Sequence, residues 1–151
     1  MNTKNVSPKL VFSGSLKTTI NKLKSDTEPI IDAMYKDVEK YGIQPAGPLE
    51  FIYKGASEDD DKEFDLEIAL PVSNNPKPEW TQFDFKETTP LKCISNEYKG
   101  GMEKIAAAYT SIFEEIGKNG IQTTDEIREV YQNWVDFSSD ENIVEIQIGI
   151  N

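Results

Sequence analysis

The sequence predicts an α+β fold: two strand–helix–strand–strand units related by a pseudo-two-fold, with an antiparallel sheet backed by two helices. Three observations carry that expectation. Two segments show helical periodicity. Strand-like runs flank each of them in the same order. A shift of 78 residues, without a gap, superposes Gly42-Ile43-Gln44 on Gly120-Ile121-Gln122, Tyr53 on Tyr131 and Glu67-Ile68 on Glu145-Ile146. The helices follow, with Met34 on Ile112, Tyr35 on Phe113 and Val38 on Ile116. The 151 residues therefore read as a single domain, 1–151, with an internal repeat at 9–72 and 87–150 and a linker at 73–80.

The first unit opens with a strand over 9–19. A helix over 28–41 follows, with Ile30, Ile31, Met34, Val38 and Tyr41 at three- and four-residue steps. Asp26 and Thr27 are its candidate N-caps. Glu28 suits the positive end of the helix dipole, and Pro29 suits a first turn. Gly42 is a natural stop. Strands over 49–54 and 64–72 complete the unit. Between them, Glu58-Asp59-Asp60-Asp61 reads as a solvated hairpin tip, since a calcium loop spaces its ligands along a longer turn around a glycine. Ser73-Asn74-Asn75-Pro76-Lys77-Pro78 reads as linker.

The second unit repeats the pattern. A strand over 83–98 leads to a helix over 102–117 carrying Met102, Ile105, Ala106, Tyr109, Ile112, Phe113 and Ile116. Gly117-Lys118-Asn119-Gly120 ends it. Strands follow over 126–135 and 143–150. Alternation is clearest in the last, with Val144, Ile146, Ile148 and Ile150 on one face and Glu145 and Gln147 on the other.

Charge and composition narrow the chemistry. Sixteen Lys and Arg stand against 27 Asp and Glu, a formal charge of −11. Phosphate binding needs a basic face, and this balance argues against one, so direct nucleic-acid binding and anionic membrane surfaces are not expected. A neutral or cationic partner fits better. The absence of histidine excludes Ser-His-Asp triads, Cys-His dyads and His-ligated metals. The lone Cys93 excludes an internal disulfide and Cys-rich zinc sites, and its apolar neighbours make it a core residue. No metal and no cofactor is expected. Residues 1–9 are polar, unlike a signal peptide, and no apolar run has membrane-spanning length. The expectation is a cytoplasmic protein, monomeric or homodimeric.

Differences between the halves point to a site. Phe51 in the first half corresponds to Glu129 in the second. Alternation groups Phe51 with Tyr53 and Glu129 with Tyr131. With Ile52 and Val130 taken as helix-facing, these four gather near the pseudo-axis on the face away from the helices, joined there by Glu67 and Glu145. Aromatic rings around a carboxylate suit an organic cation: the carboxylate supplies charge, the rings apolar area and cation–π attraction. Trp80 is a candidate flap over the cleft, against partly exposed packing. Trp134 alternates onto the Val130 face, a packing position unless the strand bulges and brings it to cap the cleft. Tyr109 divides between core and ligand contact. Tyr98, before the flexible Gly100-Gly101, is a candidate hydroxyl for the cleft.

These residues resemble the GyrI-like, AraC-type effector-binding family, the ligand-binding domain of multidrug-sensing regulators and its stand-alone relatives. The resemblance rests on Gly47-Pro48 leading into Phe51-Ile52-Tyr53, on Asp65-Leu66-Glu67-Ile68 running into Leu70-Pro71-Val72, and on Tyr98-Lys99-Gly100 before a helix with Ala107-Ala108-Tyr109. Arg128-Glu129-Val130-Tyr131 is the nearest match. The resemblance implies a cleft between two halves, in which the glutamate matching Glu129 pairs with lipophilic cations and Tyr131 is the matching tyrosine. Taken with the candidates read from the strands, linker and second helix, the expected ligand-binding set is Glu129, Tyr131, Phe51, Tyr53, Trp80, Tyr98 and Tyr109. Relatives often carry a DNA-binding domain, and no helix-turn-helix precedes residue 9. Some stand-alone relatives hydrolyse cyclopropane-bearing electrophiles, and others bind gyrase. The first expectation is a binding module for lipophilic, often cationic, small molecules. The alternatives are a hydrolase with Glu129 as general base and Tyr131 or Tyr98 steadying the oxyanion, and a protein-binding module.

Overall fold

A computed structural model describes residues 1–151. Its eight strands are β1 (Asn2–Val6), β2 (Leu10–Thr18), β3 (Glu50–Lys54), β4 (Phe64–Pro71), β5 (Asp84–Glu87), β6 (Leu91–Lys99), β7 (Thr123–Asn133) and β8 (Ile143–Ile150). All pair antiparallel, in the order β1-β6-β8-β7-β3-β4-β2-β5. Helix α1 (Leu23–Tyr41) follows β2 and helix α2 (Ile105–Lys118) follows β6. The sequences β2–α1–β3–β4 and β6–α2–β7–β8 share one order, and their strands take mirrored places about the central β3–β7 pair.

Helix α1 begins earlier than its apolar pattern suggests. A 3-10 turn at Ile20–Lys22 precedes it, and the Thr19 hydroxyl accepts a hydrogen bond from the Lys22 N–H at 3.2 Å. Thr19, rather than Asp26 or Thr27, thus starts the helical run, and Pro29 lies inside α1 instead of in its first turn. Asp26 instead accepts from the Thr18 hydroxyl at 2.8 Å. At the other end Gly42 takes a φ of 66°, a left-handed conformation that costs glycine nothing, and its N–H caps the Val38 carbonyl.

The run at 83–98 is two strands, not one. It breaks at Thr88-Thr89-Pro90, where proline has no N–H to give a ladder. β5 then pairs with β2, and β6 with β8. The polar N-terminus, where the sequence marks no strand, forms edge strand β1 against β6. A polar segment shows no apolar alternation, so only the available edge reveals this pairing.

The helices cover one face. Phe12, Phe64, Leu66, Ile68 and Leu70 pack with Met34 beneath α1. Ile94, Val144, Ile146 and Ile148 pack with Ile112 and Ile116 beneath α2. Cys93 is fully buried with Val6 and Leu91. The opposite face is also closed at its centre, where Ile52 packs with Val11 and Ala69. There Lys9 pairs with Glu50 at 2.7 Å, and Arg128 binds Glu126 at 2.7 Å and the Thr89 carbonyl at 2.9 Å. Lys9 and Thr88 join the two connections behind β3 and β7: the Lys9 N–H donates to the Thr88 hydroxyl at 3.1 Å, and the Thr88 N–H to the Lys9 carbonyl at 2.9 Å.

This second buried face corrects one expectation. Phe51 lies opposite Ile68 and Tyr53 opposite Leu66, so both aromatics face the helices. Glu129 and Tyr131 face the same way. Ile52 and Val130 are apolar because their own face is buried too, which removes the contrast that alternation relies on. Glu67 and Glu145 do lie on the far face, paired with Lys86 at 2.7 Å and Lys4 at 2.8 Å, and do not join the other four. No helix is long and apolar enough to cross a membrane, which says nothing of strand-built barrels.

Candidate functional site

Between the helices and the central strands lies a cavity of about 1960 Å³. Strands β3 and β7 bring Phe51, Tyr53, Ile127, Glu129 and Tyr131 to it. Helix α1 contributes Leu23, Thr27, Ile31 and Tyr35, and α2 contributes Ile105, Tyr109 and Phe113. Both helices supply residues three and four apart, the spacing that keeps side chains on one face.

Glu129 is the centre of this arrangement. It is 4% exposed. Its Oε1 accepts hydrogen bonds from the Tyr53 hydroxyl at 3.0 Å and the Tyr131 hydroxyl at 2.6 Å. Its Oε2 accepts one from the Tyr109 hydroxyl at 2.6 Å. Strand alternation explains Tyr131, two residues along the same face. Pairing of β3 with β7 explains Tyr53, and the packing of α2 explains Tyr109. Burial pushes the three phenols well above the ordinary tyrosine range, and the Glu129 charge adds to the shift. They stay protonated and therefore donate. No ion pair satisfies the carboxylate, since all seven salt bridges lie elsewhere.

Two aromatic pairs around it meet edge to face. Phe51 meets Tyr131 with ring centres 5.1 Å apart and planes at 84°. Tyr131 meets Trp134 at 5.4 Å and 75°. Trp134 reaches the cavity because the β7–β8 register shifts between Tyr131 and Asn133, which turns it out of the simple alternation.

Two expected site residues lie elsewhere. Trp80 is 83% exposed and lines no part of the cavity. Its segment is held beside α1 by the Thr81 hydroxyl on Asp37 at 2.7 Å and by Phe83, buried against Phe12. Tyr98 turns instead onto the Gly100-Gly101 entry to α2, where its hydroxyl donates to the Gly101 carbonyl at 2.6 Å. A Cβ on Gly100 would come within 2.8 Å of that hydroxyl, so glycine makes the fit.

Conversely, the sequence marks Tyr35 and Phe113 only as helix positions. They are 43% and 40% exposed and stand in the cavity wall. Their signal was present: both are aromatic and hold equivalent places in the two helices, beside the buried Met34 and Ile112.

Residues 13–151 match the model of the GyrI-like small molecule binding domain. The chain belongs to that family. No curated protein sequence matches it significantly. Among solved structures, it resembles the EcmrR C-terminal domain at 20% identity and a TM-score of 0.79, covering 99% of this chain and 96% of that one. It also resembles EcmrR in a DNA complex, at 21% identity and a TM-score of 0.78; the match covers 99% of this chain but only 56% of the other. A third is SAV2435 bound to tetraphenylphosphonium, at 13% identity and a TM-score of 0.66, covering 100% and 94% of the two chains. A hydrolase from Listeria innocua matches at 8% identity and a TM-score of 0.63, covering 99% and 91%. At these identities the likenesses show a shared fold, and the GyrI-like domain's own cavity must speak for its ligand.

Proposed function

We propose that this domain binds lipophilic cations, with Glu129 as counter-ion and Phe51, Tyr53, Tyr109, Tyr131 and Trp134 as the aromatic surround. One observation carries the reading: a buried carboxylate, ringed by phenols, has no cationic partner in the protein. Charge held away from water is costly unless it is paired. The three phenols offset part of that cost, and an entering cation offsets more by Coulomb attraction in a poorly solvated site. Delocalised organic cations suit it best, because they shed water easily and lie well on aromatic faces. SAV2435, which shares the fold, holds tetraphenylphosphonium.

The same hydrogen bonds favour binding over hydrolysis. Each phenol has one proton, and each gives it to Glu129. A hydrolase needs a hydroxyl free to donate to a developing oxyanion. Tyr131 would have to release the carboxylate first, and Tyr98 is not in the cavity. The internal repeat is part of the proposal: one half supplies Glu129 and the other supplies Phe51 at the equivalent position, so the axial site is asymmetric and holds one charge.

The direct test titrates the protein with tetraphenylphosphonium by calorimetry. Saturable binding with about one cation per chain, weakened in Glu129→Gln, is the expected result. Turnover of strained-ring electrophiles, abolished by the same substitution, would replace this reading with the hydrolase.

A further inference from the structure

The mouth of the cavity carries a second set of groups that the Glu129 site does not use. Glu28 and Asp32 lie one turn apart on α1 and both line the opening. Both are exposed and neither makes an ion pair within the chain. Like charges at this spacing work slightly against the helix. Lys24, one turn earlier, is the single basic side chain along the cavity. It does not pair with Glu28. Its ammonium sits over the ring of Phe137, at 5.1 Å from the centroid. Phe137 also lines the cavity and is 40% exposed. The mouth therefore already holds one cation on an aromatic face beside unpaired carboxylates, and that cation belongs to the protein.

Size supports a longer ligand. Drug-sized ligands occupy pockets of roughly 300–1,000 Å³. This cavity, at about 1960 Å³, has room beyond a single cationic head at Glu129. Apolar walls from Ile31, Tyr35 and Phe113 are available to a hydrocarbon spacer.

We infer that the cavity takes elongated dications: one cationic head rests on Glu129, and the second displaces Lys24 at the mouth and is held by Glu28, Asp32 and the Phe137 ring. This rests on the reading of Glu129 as a counter-ion and adds a class of ligand to it. Lys24 then acts as an internal competitor for the outer station.

The test compares bis(triphenylphosphonium) compounds, joined by alkanediyl spacers of increasing length, with isosteres in which one phosphorus is replaced by a neutral carbon. Tetraphenylphosphonium is measured alongside. At the best spacer length the dication should bind about tenfold or more tighter than its isostere, tenfold being about 1.4 kcal/mol. The double variant Glu28→Gln/Asp32→Asn should lower dication affinity further than tetraphenylphosphonium affinity and close that margin. Lys24→Met should widen it. All three positions are exposed helix sites, so the variants are expected to fold. A dication no tighter than its isostere at any spacer length would overturn the inference, as would a margin that survives the double variant. If tetraphenylphosphonium still bound in a Glu129-dependent way, the single-cation reading would stand alone. If the native protein bound none of these compounds, both readings would fall together.

Discussion

Phe51 and Glu129 lie directly opposite each other where β3 pairs with β7. The 78-residue shift that superposes the two sequence halves carries the first onto the second. The most central pair in the sheet is thus a place where the halves differ in chemistry, one side apolar and aromatic, the other ionisable. An acid at both positions would put two carboxylates side by side in a buried site. Like charges so placed oppose one another's ionisation.

The first prediction concerns that acid. Glu129→Gln keeps the shape and one acceptor but removes the charge. Its affinity for tetraphenylphosphonium should fall about tenfold to a hundredfold, since breaking a fully buried pair costs on the order of 3–5 kcal/mol and this cavity is partly open to water. Calorimetric titration of both proteins decides it. Equal dissociation constants would show that the cation rests elsewhere.

The phenols give a pH signature. Tyr53, Tyr109 and Tyr131 have folded pKa values raised well above 10.0, first through burial and then through the Glu129 charge. The unfolded chain releases these protons near pH ~10, whereas the folded chain keeps them. Their contribution to stability is therefore fully present below pH ~10 and is lost as the pH rises through the folded values. Ultraviolet titration of the native protein should show these three phenols ionising late and together with alkaline unfolding. In Glu129→Gln they should ionise earlier. Ordinary ionisation of every tyrosine near pH ~10 in the folded protein would contradict the cluster.

The two tryptophans separate cleanly. Trp134 lies in the cavity wall against Tyr131, and Trp80 is 83% exposed away from it. Ligand binding should change the fluorescence of the Trp80→Phe protein, whose remaining indole is Trp134. It should leave the Trp134→Phe protein nearly silent. A response that tracks Trp80 instead would restore that residue as a flap.

Behind the sheet, the Lys9–Glu50 pair should matter for stability. Glu50 is 1% exposed, and its second oxygen has no hydrogen-bond partner. Lys9→Met would strand the charge and cost about 3 kcal/mol, the low end for a buried pair because Lys9 is partly exposed. For a domain of this size that lowers Tm by roughly 6–12 °C. Lys9→Met combined with Glu50→Leu should recover most of the loss. Thermal unfolding followed by circular dichroism checks both variants, and an unchanged Tm in the single variant would show the pair to be idle.

Much of the site was legible because it sits on a strand. Period-two alternation groups Glu129 with Tyr131 and Phe51 with Tyr53, and comparison of the halves singles out Glu129. The face they occupy was not legible. Ile52 and Val130 mark a buried face without saying what buries it, and here the connections around Lys9 and Thr88 do so, not a helix. Trp80 was misplaced because a linker residue has no periodicity to fix its direction. β1 was missed because its pairing depends on a free edge of β6, a property of the assembled sheet.

The sequence by itself determined the α+β class, the two helices with their glycine stops and the repeated element order, and it singled out Glu129 as a candidate. All of these follow from local periodicity, from turn chemistry and from comparing one half of the chain with the other. Only the tertiary structure decided that the glutamate faces the helices, that three phenols from β3, β7 and α2 converge on its two oxygens, and that Lys24 rests on Phe137 at the mouth. The physical reason is that side-chain direction within a strand is a local matter. Which face is covered, and what meets a side chain there, depends on segments far apart in the chain packing against one another.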